Sequence, residues 1–421
     1  MKPYSLMSAQ ELAAEKSAVS AKYADFKSQN LKIDMSRGKP GADQLELSSA
    51  ILETVTEKTG FRALDNTDTR NYGVLGGLPE CKRLFAEILD VKPENIIVGG
   101  NSSLSLMFDY ISQCMTTGAG SKPWMMQGNV KFLCPAPGYD RHFSICEHFG
   151  IEMIPVPMLA DGPDMDVIES YMNDTLVKGM FCVPKYSNPQ GITYSDATVR
   201  RIAALKPAAK DFRIIWDNAY CVHDINDTPD KLLNIFEACE ERGSEDMVIE
   251  FTSTSKISFP GAGVSVIAAS ENNIKAITER LFVQIISYDK INQLRHARYF
   301  KDADGIKAHM KLHASIIKPK FDAVTDALNN QLAGLDIASW NVPNGGYFVS
   351  LDVTGAAASR VGELCKDAGL KLTQVGATYP YGNDPHDRNI RIAPTFPPVD
   401  ELKIAMDVLC TAVKLAALEK F

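Results

Sequence analysis

The first ordered pattern along the chain is helical. Ser8-Ala9-Gln10-Glu11 has the form of a capping box, and Leu12, Lys16, Val19, Tyr23 and Phe26 follow at the spacing of one helix face. Residues 31–46 lose that period around Arg37-Gly38-Lys39-Pro40-Gly41 and read as a loop. From residue 95 to 270 short apolar runs alternate with longer polar segments. The runs are Asn95–Gly100, Lys131–Ala136, Glu152–Met158, Gly179–Pro184, Phe212–Asp217, Met247–Thr252 and Gly263–Ala269. Several are continuous rather than alternating, as strands covered on both faces require. The alternation of strand and helix predicts an α/β fold, with a mostly parallel seven-stranded sheet between helices.

The tail reads differently. Ala308 to Leu332 is helical, short strands are expected at Tyr347–Val353, Leu370–Val375 and Asn389–Ala393, and Val399 to Leu418 closes the chain. That last helix carries Leu402, Met406, Leu409, Val413 and Ala416 on one stripe. The expected organisation is an N-terminal helix and arm (1–50) packing with a small α+β unit (306–421), and a large unit between them (51–305).

Composition narrows the function by exclusion. The 421 residues are 45% hydrophobic and 23% charged, with a formal charge of −8 and no basic stretch, which argues against nucleic acid. No run of about 18 apolar residues occurs, so no membrane span is expected. The N-terminus has no signal-peptide pattern, since Glu11, Lys16 and Lys22 interrupt any apolar run. Nine cysteines stand singly without a C-x-x-C pair, as in a reduced, cytoplasmic protein. His309 and His313 share a helix face, but no glutamate adjoins them, so they are read as structural and no metal is expected.

Ligands of open α/β sheets bind at the carboxyl ends of strands. Four of the apolar runs end there in polar clusters: Gly99-Gly100-Asn101-Ser102-Ser103, Ser187-Asn188-Pro189-Gln190-Gly191, Asp217-Asn218-Ala219-Tyr220 and Thr252-Ser253-Thr254-Ser255-Lys256. A lysine at a strand end is partly desolvated, which favours the neutral amine that attacks carbonyls. Ser253 and Ser255 can hydrogen-bond a phosphate. Asp217 closes a buried run and needs a cationic partner such as a pyridinium nitrogen, or else it caps the following helix. Tyr220 is placed to reach a ring hydroxyl. Asn188 is aimed by a Pro/Gly turn. Asn101 and Ser102 open a helix whose free N–H groups suit phosphate, or they are plain caps.

With Arg391 far downstream, these residues resemble the fold-type I pyridoxal-phosphate aminotransferases over nearly the whole chain. The resemblance implies the aspartate aminotransferase fold, pyridoxal 5′-phosphate as cofactor and a Schiff base on Lys256. It implies that Asn188, Asp217 and Tyr220 contact the cofactor ring, and that Asn101, Ser102 and Ser103 cradle its phosphate. Tyr72, in Tyr72-Gly73-Val74-Leu75-Gly76-Gly77, matches a tyrosine that reaches the neighbouring subunit's phosphate, which implies a homodimer. Arg391 matches the bidentate clamp of the substrate α-carboxylate, and Gly38 a glycine lining the substrate pocket.

Two positions depart from the family pattern. Gly263 stands where an arginine usually neutralises the phosphate, and Ala136 where an aromatic usually stacks on the ring, leaving Tyr139 as the substitute. These departures resemble the divergent aspartate aminotransferase branch that is similar to MocR-type aminotransferase domains. The expected reaction is amino transfer between aspartate or glutamate and a 2-oxo acid, 2-oxoglutarate or oxaloacetate. A pyridoxal lyase (carbon–sulfur lyase or aminocyclopropane carboxylate synthase-like) is the alternative. A MocR-like effector fits less well, because fewer than forty residues precede Gly38 and they hold no basic recognition helix. A dicarboxylic substrate needs a second cation, and Arg37, Lys39, Lys185, Lys290 and Arg295 are eligible.

Overall fold

The computed structural model describes residues 1–420. Its large sheet runs in the order Ile96–Val98, Ser265–Ala269, Val248–Ser253, Arg213–Asp217, Val177–Cys182, Lys131–Ala136, Glu152–Leu159 and Gly162–Pro163. The five strands from Val248–Ser253 to Glu152–Leu159 pair in parallel, while Ser265–Ala269 runs antiparallel to both neighbours. The seven expected strands are all present. The eighth is a two-residue Gly-Pro edge strand, too short to carry a pattern.

The continuous apolar runs have the cause inferred for them. Phe132, Cys134, Phe181, Ile215, Ile249 and Phe251 enter one core layer, whereas Leu133, Met180, Cys182, Ile214, Trp216 and Val248 enter another. Alternate side chains thus bury on opposite faces, and neither face is left for polar residues.

A further core joins the two chain ends. Val19, Tyr23 and Phe26 of the Ala9–Ser28 helix are buried with Leu402, Met406, Leu409 and Val413 of the Val399–Leu418 helix. Tyr23 Oη donates to the Leu364 carbonyl at 3.0 Å. Ser8 and Glu11 form the anticipated capping box. Above this core lies an antiparallel sheet of Ala338–Trp340, Val349–Val353 and Asn389–Ile392.

Residues 31–46 are more ordered than their sequence suggested. Ile33–Met35 is a strand pairing in parallel with Leu370–Leu372, and Ala42–Glu46 is a short helix. A three-residue strand has no period of its own, and its partner sits at the other end of the chain. Ala338–Trp340 is likewise only three residues long and has no period of its own. The long helix starts earlier than expected, at Ala303, where the Asp302 side chain accepts from Gly305 N. Among the described residues, no helix is long and apolar enough to cross a membrane.

Candidate active site

The carboxyl ends of the parallel strands open onto a cleft of about 1360 Å³. One wall is the large sheet. The other comes from the segment after Ile33–Met35, from Leu370–Leu372 and from Arg391.

Lys256 follows the Val248–Ser253 strand by three residues and projects into this cleft. Its Nζ lies 5.0 Å from the centroid of the Tyr220 ring and 5.7 Å from that of Tyr347, and no hydrogen bond holds it among the described residues. Burial lowers its pKa. Asp217 opposes that shift and Arg391 reinforces it. The neutral amine is the form that attacks a carbonyl.

Asp217 ends its strand and is almost wholly buried. His142 Nε2 donates to its Oδ2 at 3.0 Å, while Oδ1 is buried with no hydrogen-bond partner. An orphaned carboxylate oxygen is costly unless a donor meets it. The protonated ring nitrogen of pyridoxal phosphate is such a donor, so the cofactor implied by the family fits here. His142 escaped the sequence reading. It lies on the buried face of the Asp140–Phe149 helix with Phe143, Ile145 and Cys146, stacked on Phe181 with centroids 4.4 Å apart. A titratable residue on an otherwise apolar helix face was the available signal.

Tyr220 lines the cleft, and burial, followed by Tyr139 and Asp217, drives its phenol well above the ordinary range. It therefore remains an O–H donor. Tyr139 also lines the cleft and stands edge-on to the His142 ring at 5.0 Å, while Ala136 is buried inside its strand. Burial first, then Asp217 and Asp140, push the Tyr139 phenol up to about 12.

Four serines gather on one side. Ser102 and Ser103 open the Ser103–Thr116 helix, and Ser102 makes no side-chain cap, which leaves first-turn N–H groups free for an anion. Ser253 Oγ donates to Ser255 Oγ at 3.0 Å, and Ser255 Oγ to the Asn101 carbonyl at 3.1 Å. Asn101 departs from expectation. Its side chain is spent on the Pro260 carbonyl at 3.0 Å and does not line the cleft, so it shapes the loop instead. Gly263 has a steric cause: a Cβ there would stand 2.7 Å from the Phe259 carbonyl oxygen and 2.8 Å from Thr254 Oγ1. No arginine fits at that position without moving the backbone.

Arg391, on Asn389–Ile392, faces these groups across the cleft. Its Nη1 donates to Asp140 Oδ1 at 2.9 Å and Asn188 Oδ1 at 3.2 Å, and its Nε to Thr373 Oγ1 at 3.2 Å. The guanidinium lies 5.0 Å over the Phe348 ring. Gly38 approaches the same ring so closely that a Cβ would come within 2.4 Å of Phe348 Cζ. Of the five eligible distal cations, only Arg37 and Lys39 line the cleft. Lys185 is held by Asp224 Oδ1 at 2.8 Å, and Lys290 is buried beside Ser287. Arg295 lies away from the cleft, whereas Arg141, which the sequence reading passed over, lines it. Tyr72 lies outside the cleft of its own chain, 79% exposed. His309 and His313 are linked to each other at 3.2 Å, and His309 Nε2 donates to the Ile257 carbonyl at 2.9 Å.

The fold and this cleft together define an aminotransferase-type enzyme. Residues 7–421 match the family model described as aspartate amino-transferase, and the chain belongs to that family. It is an aminotransferase. It is 45% identical to the aspartate aminotransferase of Corynebacterium glutamicum over 431 aligned positions, covering 100% of both chains. The crystal structure of an aspartate transaminase from that organism superposes with a TM-score of 0.95 at 45% identity, covering 98% of each chain. The α-aminoadipate aminotransferase of Thermus thermophilus, solved with N-(5′-phosphopyridoxyl)-L-leucine, shares the fold at 18% identity and a TM-score of 0.74, over 92% of this chain and 93% of that one.

Proposed function

We propose that this chain moves the amino group of aspartate or glutamate to 2-oxoglutarate or oxaloacetate, with pyridoxal 5′-phosphate tethered to Lys256. One observation carries the reading: a desolvated lysine, a buried carboxylate with an unpartnered oxygen and a guanidinium share a single cleft. Asp217 would hold the ring nitrogen protonated, with His142 orienting the carboxylate. Tyr220 and Asn188 would contact the ring, with Tyr139 against it. Ser102, Ser103, Ser253 and Ser255 would hold the phosphate through hydroxyls and helix N–H groups.

When bound, the cofactor supplies an electron sink for charge developing at the substrate Cα. The protein does the rest. Arg391 binds the α-carboxylate and aims the Cα–H at Lys256. The neutral Nζ would take that proton and deliver it to the cofactor carbon on the far side of the amino nitrogen. Gly38 leaves room for the substrate, and Arg37 or Lys39 meets its distal carboxylate.

We also propose a cytoplasmic homodimer, in which Tyr72 completes the partner's site. The exposure of Tyr72, together with that of Leu64, Phe282 and Val283, supports this, as do nine unpaired cysteines for a reducing compartment. We further propose the division of the chain near residues 50 and 305 into an N-terminal helix and arm, a large cofactor-binding unit and a small C-terminal unit. The test is a panel of amino donors assayed against 2-oxoglutarate. Aspartate and glutamate should be preferred over alanine, leucine and tyrosine. Release of ammonia without a new amino acid would replace this reading with a lyase.

A further inference from the structure

Arg391 is engaged by a carboxylate of its own chain. Its Nη1, half of the fork a substrate carboxylate would use, donates to Asp140 Oδ1 at 2.9 Å. We propose that Asp140 is an internal carboxylate that occupies Arg391 until the substrate's α-carboxylate displaces it, so that every carboxylate ligand of the clamp binds against the same internal competitor. The inference rests on Arg391 being the clamp.

Three features support an exchange rather than a fixed structural pair. The first is asymmetry of burial: the Asp140 side chain is 32% exposed and the Arg391 side chain 6%. The aspartate can rehydrate by rotating outward, whereas the guanidinium cannot. The second is that Asp140 has no other side-chain partner among the described residues, so nothing else holds its carboxylate in place. The third is an alternative resting place. Asp140 is the first residue of the Asp140–Phe149 helix, and Tyr139 before it makes no side-chain cap. The positive end of that helix stabilises a carboxylate turned back onto it.

Position gives the exchange a consequence. Asp140 follows a strand of the large sheet, while Arg391 sits on the small antiparallel sheet, so their bond ties the two walls of the cleft. An arriving carboxylate would meet like charge until Asp140 leaves. The displacement weakens mono- and dicarboxylic ligands alike, and a dicarboxylic ligand has a second carboxylate to make up the loss. A monocarboxylic ligand has none.

The experiment uses the cofactor-loaded protein and two unreactive probes, acetate and succinate, titrated by calorimetry. Asp140→Asn should tighten acetate about tenfold, the scale of one charge-assisted hydrogen bond, and tighten succinate by a similar factor, since both displace the same carboxylate. Asp140→Ser, which can cap the helix, should do the same and guards against a folding defect in the first variant. The KM for alanine should fall alongside. A merely structural aspartate would show the opposite sign, because its loss would loosen Arg391. Unchanged or weaker acetate binding in both variants, with Arg391→Lys still abolishing it, overturns the exchange and leaves the clamp intact. If Arg391→Lys also leaves acetate binding unchanged, the clamp itself is wrong and the inference falls with it.

Discussion

Replacing Asp217 with asparagine changes one atom and should remove most of the activity. The carboxylate has two roles: Oδ2 accepts from His142 at 3.0 Å, and Oδ1 is buried without a partner. In the variant the amide oxygen keeps the His142 bond, which turns the NH₂ toward the cleft. A donor then faces the protonated nitrogen that the cofactor would present. The site loses a charge-assisted hydrogen bond of about 1.5–3 kcal/mol and gains an opposed pair of donors. A loss of about 2–4 kcal/mol in transition-state stabilisation corresponds to roughly 30- to 1000-fold in kcat/KM. The assay is steady-state transamination of aspartate with 2-oxoglutarate, alongside cofactor affinity from absorbance titration and a denaturation curve. Stability should hold or rise, because a buried anion with an unpaired oxygen has been removed. Activity within a factor of about three of wild type, roughly 0.7 kcal/mol, would refute the reasoning and leave Asp217 only as a partner for His142.

Lys256→Ala should abolish transamination and the visible absorbance of the purified protein, and turnover at wild-type rates would sink the assignment. Tyr72→Ala and Lys256→Ala, each inactive alone, should regain partial activity when unfolded, mixed and refolded together; sedimentation of a fully active monomer contradicts that. Glu250 gives a pH signature apart from catalysis: burial raises its carboxyl from 4.5 to about 7, against a smaller opposing effect of the Asn218 hydrogen bond. Its contribution to stability is present below the unfolded value and is lost as pH rises through the folded one, about 3 kcal/mol in all. Glu250→Gln should therefore raise the denaturation midpoint at pH 8 and leave it unchanged near pH 4, and equal gains at both pH values would exclude this cause.

The sequence by itself determined the large sheet and the residue types of the site. Strands buried on both faces leave continuous apolar runs, and chemistry at their carboxyl ends leaves polar clusters in the same short windows. Lys256, Asp217, Tyr220 and Asn188 were legible because each lies within a few residues of the strand that positions it. Tertiary structure decided what depends on residues distant in the chain. The pairing of Ile33–Met35 with Leu370–Leu372 brings Gly38 over the cleft; the second strand was expected from the sequence, but nothing local marks the first or joins the two. The Asp217–His142 bond and the Arg391–Asp140 pair each join elements that carry no sign of one another in sequence. Gly263 looked like a missing arginine and is a steric requirement set by Phe259 and Thr254. Five cations were equivalent on paper, and only two line the cleft, because a side chain's direction follows from the packing of the whole fold and not from its neighbours in the chain.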